Sequence, residues 1–335
     1  VDFSAEAERV LPILDCAVLV IGGQLQAHTM TLWQLLERYH VPTILFVSKM
    51  DLPDKSKEDL MAQLQSQLSS GCVDFTGEWD AVCEAAAMCD EALLENYLET
   101  GTVTMGNIRG LIAKRKLFPC CFGSALKVKG VEEFLGVLND YAPEAEYPRD
   151  FAARVYKISR DPQGTRLTWL KVTGGSLKVR SVLEYTNGKG EKREEKAIQL
   201  RQYSADKFTA PEEVFAGELA AVAGLSETYV GQNLGAEGNG LAPALEPVMT
   251  YRVNLPKGAD PAAVMPKLRQ LEEEDPQLHL LWESGQIHVQ IMGKVQLEIF
   301  RAESAEEKPW ELLADLARVI RLKAEFGGEI LNEQE

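Results

Sequence analysis

The sequence predicts a multi-domain protein in which an α/β domain, an all-β domain and an α+β domain follow one another along 335 residues. Strand–helix–strand patterns with all-apolar strands fill residues 1–148 and indicate a parallel sheet covered on both faces. Short alternating segments between glycine-rich turns fill residues 149–246, a rhythm typical of a small β-barrel or sandwich. Residues 247–335 follow the order β-α-β-β-α, which predicts a split βαβ, ferredoxin-like domain.

The α/β prediction rests on apolar strands that alternate with helical patterns. Residues 17–21 and 43–47 are short apolar runs, and leucines at helical spacing lie between them. Strand, helix and strand within about 30 residues form a βαβ unit, whose strands are parallel. Residues 78–98 are helical in pattern, and a third apolar run over residues 117–122 precedes a helix predicted over residues 131–141.

The third domain carries more local signals. Asp260 can cap a helix whose first residue is a proline. Residues 278–282 and 287–291 are short apolar segments on either side of a turn, which predicts a hairpin. A further helix is predicted to begin at Gln296.

Composition limits the class of protein. Apolar residues make up 45% and charged residues 26%, the balance of a soluble globular protein. No apolar run approaches the roughly 20 residues that cross a bilayer, so we expect no membrane partner. Six cysteines without a C-x-x-C pair, and four histidines without a partner at metal spacing, predict inert thiols, no metal site and a reducing cytoplasm.

The net charge of −16 disfavours nucleic acid as a partner for the surface as a whole. RNA contact would require a local basic patch or a partner surface made of protein. The basic run around Arg193 is interleaved with glutamates, which favours a solvated hairpin over an RNA contact.

The first candidate site is Ser48-Lys49-Met50-Asp51, directly after the apolar run of residues 43–47. In an α/β sheet, ligands bind beyond the carboxyl ends of the strands. A carboxylate at Asp51 can accept hydrogen bonds from the N1–H and the 2-amino group of guanine, a donor pair that adenine lacks. The stem of Lys49 could lie over the base plane. Alone, this loop fits either recognition of guanine or an ordinary strand-end loop, and a second loop of the same kind is needed to favour guanine.

A second loop of the same kind is Gly123-Ser124-Ala125, which ends the run of residues 117–122. Glycine permits close approach of the backbone. The N–H of Ala125 could donate to guanine O6, and the Ser124 hydroxyl could brace the loop. The candidate pocket therefore contains Ser48, Lys49, Asp51, Ser124, Ala125 and Leu126.

At these residues the sequence resembles the translational GTPases related to elongation factor G. The resemblance is strongest to the tetracycline-resistance ribosomal protection proteins and extends over about residues 1–300. The segments that carry it are Val1-Asp2-Phe3, residues 14–21, Gln26-Ala27-His28-Thr29, Phe118-Pro119, Gly123-Ser124-Ala125-Leu126-Lys127, Lys129-Gly130-Val131 and Met292-Gly293-Lys294-Val295-Gln296-Leu297-Glu298.

The resemblance implies a partial P-loop GTPase domain over residues 1–148, a β-barrel domain II over 149–246 and a ferredoxin-like domain III over 247–335. It implies GTP or GDP as cofactor, with Mg²⁺ bound by residues upstream of this sequence. It further implies a cytoplasmic monomer that acts on the ribosome, contacting rRNA and ribosomal proteins. GTP hydrolysis would be coupled to ribosome binding and release.

The sequence departs from the family pattern at three points. It contains no G-x-x-x-x-G-K-[S/T] phosphate loop, so we expect the sequence to begin inside a longer chain. We expect this part alone to be inactive in GTP hydrolysis and to hold no catalytic residue or metal ligand. Ser48 stands where the family usually has Asn, which we expect to weaken guanine binding. Residues 302–335 diverge, and an amphipathic helix is predicted there from Trp310, Leu313, Leu316, Val319 and Ile320.

Two other functions remain open from the sequence. One is a non-catalytic ribosome-interaction module built on a degenerate GTPase domain, which the absent phosphate loop favours. The other is an ordinary elongation-factor-like translocase.

Overall fold

The computed structural model describes residues 4–52, 56–205, 207–236, 243–247, 249–254, 260–283, 286–293, 296 and 313–314. The chain divides into two compact units, Leu11–Glu146 and the residues from Tyr147 onward, the latter together with helix α1 (Ser4–Val10). Within that second unit the buried Glu8 accepts a hydrogen bond from the backbone of Leu245 at 3.0 Å. The division at residues 148 and 246 stays a prediction.

A parallel sheet forms the centre of the first unit and confirms the α/β prediction. Its strands are β1 (Ala17–Ile21), β2 (Thr43–Val47), β3 (Cys72–Asp74) and β4 (Phe118–Phe122), in the order β1-β2-β4-β3. Every residue of β2 and β4 is buried, as expected of central parallel strands with helices on both faces.

Helices connect these strands. After a single 3₁₀ turn (Leu11–Ile13) they are α2 (Ala27–Arg38), α3 (Lys57–Gln67), α4 (Trp79–Ala87), α5 (Glu91–Thr100), α6 (Met105–Ala113) and α7 (Val131–Tyr141). The helix predicted over residues 78–98 is two helices. They separate at Asp90, whose carboxylate caps α5 by accepting the Leu93 N–H at 3.2 Å.

The chain from residue 152 is antiparallel β structure, which confirms the β-rich prediction. Its strands are β5 (Ala152–Arg160), β6 (Arg166–Gly174), β7 (Ser176–Lys178), β8 (Val182–Thr186), β9 (Lys192–Lys196), β10 (Gln199–Ser204), β11 (Lys207–Thr209), β12 (Glu213–Phe215), β13 (Leu219–Ala223) and β14 (Asn233–Gly235). Six of these form one sheet in the order β11-β10-β13-β6-β5-β14, and the basic run lies in the β8–β9 hairpin.

The last part of the chain combines one described helix with an antiparallel sheet. Its elements are β15 (Met249–Asn254), α8 (Pro261–Glu274), β16 (His279–Glu283), β17 (Gln286–Ile291) and β18 (Leu313–Ala314), with the strand order β16-β17-β15-β18. Asp260 caps α8 as predicted, since its carboxylate accepts the Ala262 N–H at 2.9 Å.

The predicted helix around Leu313 is wrong where the structure describes it. Leu313–Ala314 is a strand that pairs with Val253 and Asn254 of β15, so pairing with an edge strand overrides the helical spacing. Trp310, Leu316, Val319 and Ile320 lie outside the described residues, as does the helix predicted beyond Gln296. Among the described helices, none is both long and apolar enough to span a membrane.

Candidate functional site

The two predicted loops leave the sheet side by side. Val47 of β2 pairs with Phe122 of β4, so both strands end at the same level of the sheet. The Gly123 N–H donates to the Val47 carbonyl at 2.9 Å, and the Met50 N–H donates to the Gly123 carbonyl at 3.0 Å. Backbone hydrogen bonds therefore fix the start of one loop against the other.

A side chain also ties the two loops together. The Ala125 N–H donates to Ser48 Oγ at 3.2 Å, across 77 positions of sequence. Ser48 is 7% exposed and Ser124 is 2% exposed, so both hydroxyls lie beneath the loop surface. Ser48 thus ties the two loops together, and it does so with the N–H that the sequence suggested for guanine O6.

Asp51 is held as a charged, accessible carboxylate. The Ser124 hydroxyl, which hydrogen-bonds Asp51, is the main cause that lowers the pKa of this carboxyl; desolvation opposes the shift and Lys127 adds to it. Lys127 Nζ lies 3.3 Å from Asp51 Oδ2, and the two side chains are 61% and 20% exposed. Asp51 is therefore ionised at neutral pH and can accept hydrogen bonds from a ligand.

Lys49 adopts an unusual backbone conformation between Ser48 and Asp51. Its φ is 66°, in the left-handed region that costs a non-glycine residue about 1–2 kcal/mol. Its side chain lies beside Gly22 just after β1, where an added Cβ would be 3.7 Å from Lys49 Cε and Nζ. Such strain persists where the surroundings impose it and is often found at binding sites.

Gly123 must lack a side chain because the second loop folds back on it. A Cβ there would lie 2.3 Å from the Lys129 carbonyl oxygen. The loop closes between Ser124 and Lys129, whose N–H groups donate to each other's carbonyls at 2.8 and 3.0 Å. Leu126 is 90% exposed within this closed loop, so its side chain is free to cover a ligand.

Two contacts at this edge of the sheet were missed by sequence reasoning. The first is the ion pair between Lys127 and Asp51. The only sign of it in the sequence is a basic residue shortly after Ser124. The second lies at the end of β3, where Lys57 Nζ is 2.5 Å from Asp74 Oδ2 and 2.8 Å from Thr76 Oγ1. The same ammonium lies 5.3 Å from the centroid of the Phe122 ring, so it supports the end of β4.

The cysteines and histidines give no second site in the described residues. All six cysteines are free, and burial raises the pKa of Cys16 to about 11 and that of Cys121 to about 12. These two thiols therefore stay protonated and poorly nucleophilic. Across the part of the chain that the structure describes, no three His, Cys, Asp or Glu residues are grouped to hold a metal ion.

A parallel sheet whose neighbouring strand ends carry a K-x-D loop and a G-S-A loop is the arrangement of a GTP-binding domain. Consistent with this class, residues 1–144 match the family model of the elongation factor Tu GTP binding domain. This part of the chain is therefore similar to the GTP-binding domains of translation factors.

Among solved structures, the chain is similar in fold to the protein ttk003000868 from Thermus thermophilus. The TM-score is 0.72 and the sequence identity is 22%, over 90% of this chain and 54% of the Thermus chain. The chain thus spans about half the length of the structure that it matches. The similarity extends beyond residues 1–144, so it includes the β-rich part as well as the parallel sheet.

Proposed function

We propose that the loops after β2 and β4 bind the base of a guanine nucleotide. The observation that carries this proposal is the Asp51 carboxylate, which the buried Ser124 hydroxyl of the neighbouring loop holds charged at the carboxyl edge of the parallel sheet. The match of residues 1–144 to the elongation factor Tu GTP binding domain supports it independently.

The chemistry of Asp51 selects guanine over adenine. Its two oxygens accept the N1–H and the 2-amino group of guanine, whereas adenine presents an acceptor at N1 and no 2-amino group. The exposed stem of Lys49 and the exposed Leu126 supply apolar surfaces for the two faces of the base. A lysine ammonium group placed over the face of a purine would add cation–π attraction.

We further propose that the whole protein is a GTP-binding translation factor, in which GTP hydrolysis is coupled to binding and release of the ribosome. The resemblance of its motifs to the ribosomal protection proteins supports the tetracycline-resistance type. Mg²⁺ would accompany GTP, and none of the six pocket residues is assigned to it. In the cytoplasm, rRNA and ribosomal proteins are the partners this proposal requires.

A non-catalytic ribosome-interaction module is the second candidate. The sequence contains no G-x-x-x-x-G-K-[S/T] phosphate loop, and this observation favours binding without hydrolysis for the residues in hand. In this candidate the degenerate GTPase domain is a scaffold, so the two candidates differ in turnover. GTP hydrolysis measured with and without ribosomes therefore separates them.

Calorimetric titration of the 335-residue chain with GDP and ADP tests the pocket. We expect GDP to bind at least about tenfold more tightly than ADP, because adenine leaves the Asp51 carboxylate without its donors. Asp51→Ala should abolish that preference. Asp80→Ala is the matched control, since Asp80 is an exposed aspartate on α4. Equal affinities for the two nucleotides, or an Asp51 variant that behaves like the control, would contradict the proposal.

The ribosome is tested separately by cosedimentation. GTP should increase the fraction of protein that pellets with ribosomes, and GDP should decrease it, if nucleotide state sets ribosome affinity. Restoration of tetracycline-inhibited translation by the protein would support the protection type. Pelleting without any dependence on nucleotide would favour the non-catalytic module.

A further inference from the structure

The contact between Ser48 and Ala125 has a consequence for base recognition. A backbone N–H carries one hydrogen, and in this chain the Ala125 N–H donates it to Ser48 Oγ at 3.2 Å. We propose that Ser48 removes the Ala125 N–H from base recognition. The pocket then reads the N1–H and 2-amino edge of guanine through Asp51 and is tolerant at position 6. This inference rests on the proposed guanine-nucleotide function.

Both partners of this hydrogen bond are fixed by their backbones. The Ser48 N–H donates to the Ile21 carbonyl at 2.8 Å, which ties Ser48 to the end of β1. On the other side, the Ser124 N–H donates to the Lys129 carbonyl at 2.8 Å, which closes the loop that contains Ala125. Since Ser48 is 7% exposed, its hydroxyl is largely shielded from water that could replace the Ala125 N–H as its partner. A ligand oxygen must therefore share the N–H or displace a buried hydroxyl from it.

Sharing and displacement both weaken recognition of O6. A three-centre hydrogen bond divides one donor between two acceptors. Displacement leaves the buried Ser48 oxygen without its donor, which costs free energy. Hydrogen bonds from the guanine N1–H and 2-amino group have no such competitor, because the Asp51 carboxylate has oxygen lone pairs available to accept them. Discrimination therefore depends on Asp51 more than on Ala125.

The specificity ratio between GDP and 6-thio-GDP tests this inference. The thio analogue keeps N1–H and the 2-amino group, and it replaces O6 by sulfur, a weaker acceptor. We expect the full chain to bind the two within about twofold of each other, in slightly acidic buffer that keeps N1 protonated. Ser48→Ala frees the Ala125 N–H for O6 and should raise the preference for GDP to about fivefold, the worth of one net hydrogen bond.

Ser48→Thr is the matched control, because it retains a hydroxyl at the same position and should keep the wild-type ratio. A ratio of two affinities is unaffected by a loss of folded protein, so a merely structural role of Ser48 would not change it. The inference is overturned if the wild-type chain already prefers GDP about fivefold, or if Ser48→Ala leaves the ratio unchanged. If neither nucleotide binds any variant, the guanine pocket itself is refuted and the inference falls with it.

Discussion

The Ser124 hydroxyl of the loop after β4 hydrogen-bonds the Asp51 carboxylate of the loop after β2 and lowers the pKa of that carboxyl. The two residues are brought together because β2 and β4 are neighbours in a parallel sheet and end at the same level. This contact orients the only acidic side chain among the six pocket residues.

Replacing Asp51 by Asn should exchange guanine for xanthine. The amide keeps one oxygen, which can accept N1–H, and gains an N–H that can donate to the 2-carbonyl of xanthine. With guanine, the same N–H would face the 2-amino group, and two donors cannot form a hydrogen bond with each other. Titration with GDP and xanthosine diphosphate should show the preference inverted by about tenfold. Unchanged preference in Asp51→Asn would show that Asp51 does not contact the base.

Ser124→Ala should weaken GDP binding and shift its pH dependence. The pKa of Asp51 is lowered chiefly by the Ser124 hydroxyl, so the wild-type carboxylate keeps its charge to a lower pH than an ordinary aspartate. Without the hydroxyl the pKa rises. GDP affinity should fall about three- to tenfold at neutral pH, and binding should be lost at a higher pH on acidification.

Ser66→Ala is the control for this change, since the Ser66 hydroxyl donates only to the Gln63 carbonyl on the exposed side of α3. It should leave both the affinity and the pH midpoint unchanged. If Ser124→Ala reduces affinity without any shift of the midpoint, Ser124 shapes the loop and does not tune Asp51.

Gly123→Ala should destabilise the first unit by about 1–3 kcal/mol. A methyl group there would lie 2.3 Å from the Lys129 carbonyl oxygen, a backbone atom that cannot turn aside. Gly136→Ala is the matched control in helix α7, because no described atom outside its chain neighbours and its own helix backbone lies within 4 Å of the added Cβ. That control should be neutral or stabilise by about 0.5–1 kcal/mol through helix propensity. Thermal unfolding followed by circular dichroism measures both, and equal behaviour of the two would contradict the close approach of Gly123 to Lys129.

Glu227→Gln should make the free energy of unfolding of the β-rich part depend less on pH under acidic conditions. The hydrogen bond from Arg193 is the largest cause that lowers the pKa of Glu227 from 4.5 to about 2, and the hydrogen bond from Asn187 is the second. A carboxyl whose pKa is lower in the folded chain than in the unfolded chain stabilises the fold at pH values above its pKa in the unfolded chain. This stabilisation is lost as the pH falls to its pKa in the folded chain. Urea unfolding between these two pH values should therefore depend less on pH in Glu227→Gln. An unchanged slope would show that the Arg193 contact is too exposed to contribute.

The sequence predicted the parts of the fold that are set by local apolar pattern. The strands β2 and β4 were found because all ten of their residues are buried in the sheet, and an unbroken apolar run reflects that burial. Strand β3 was missed because it has three residues, too few to show a period. The division of residues 78–98 into α4 and α5 depends on a single cap at Asp90.

The sequence placed the two candidate loops at strand ends, and it did not predict the contacts between them. Loops at adjacent strand ends could be paired from the βαβ order, which brought Asp51 and Ser124 to one edge. The bond from Ala125 to Ser48 joins positions 77 apart and depends on how both loops close. The Lys127 contact likewise requires the bridge between Ser124 and Lys129, which no periodicity reveals.

Amide chemical-shift mapping by NMR tests the central claim most directly, because it locates the bound base without a variant. Titration of the full chain with GDP should perturb the amides of Ser48–Asp51 and Ser124–Leu126 before any others. ADP at the same concentrations should leave those amides unchanged. Shifts of equal size with both nucleotides, or GDP shifts confined to residues away from the ends of β2 and β4, would contradict the assignment of this edge as a guanine-binding site.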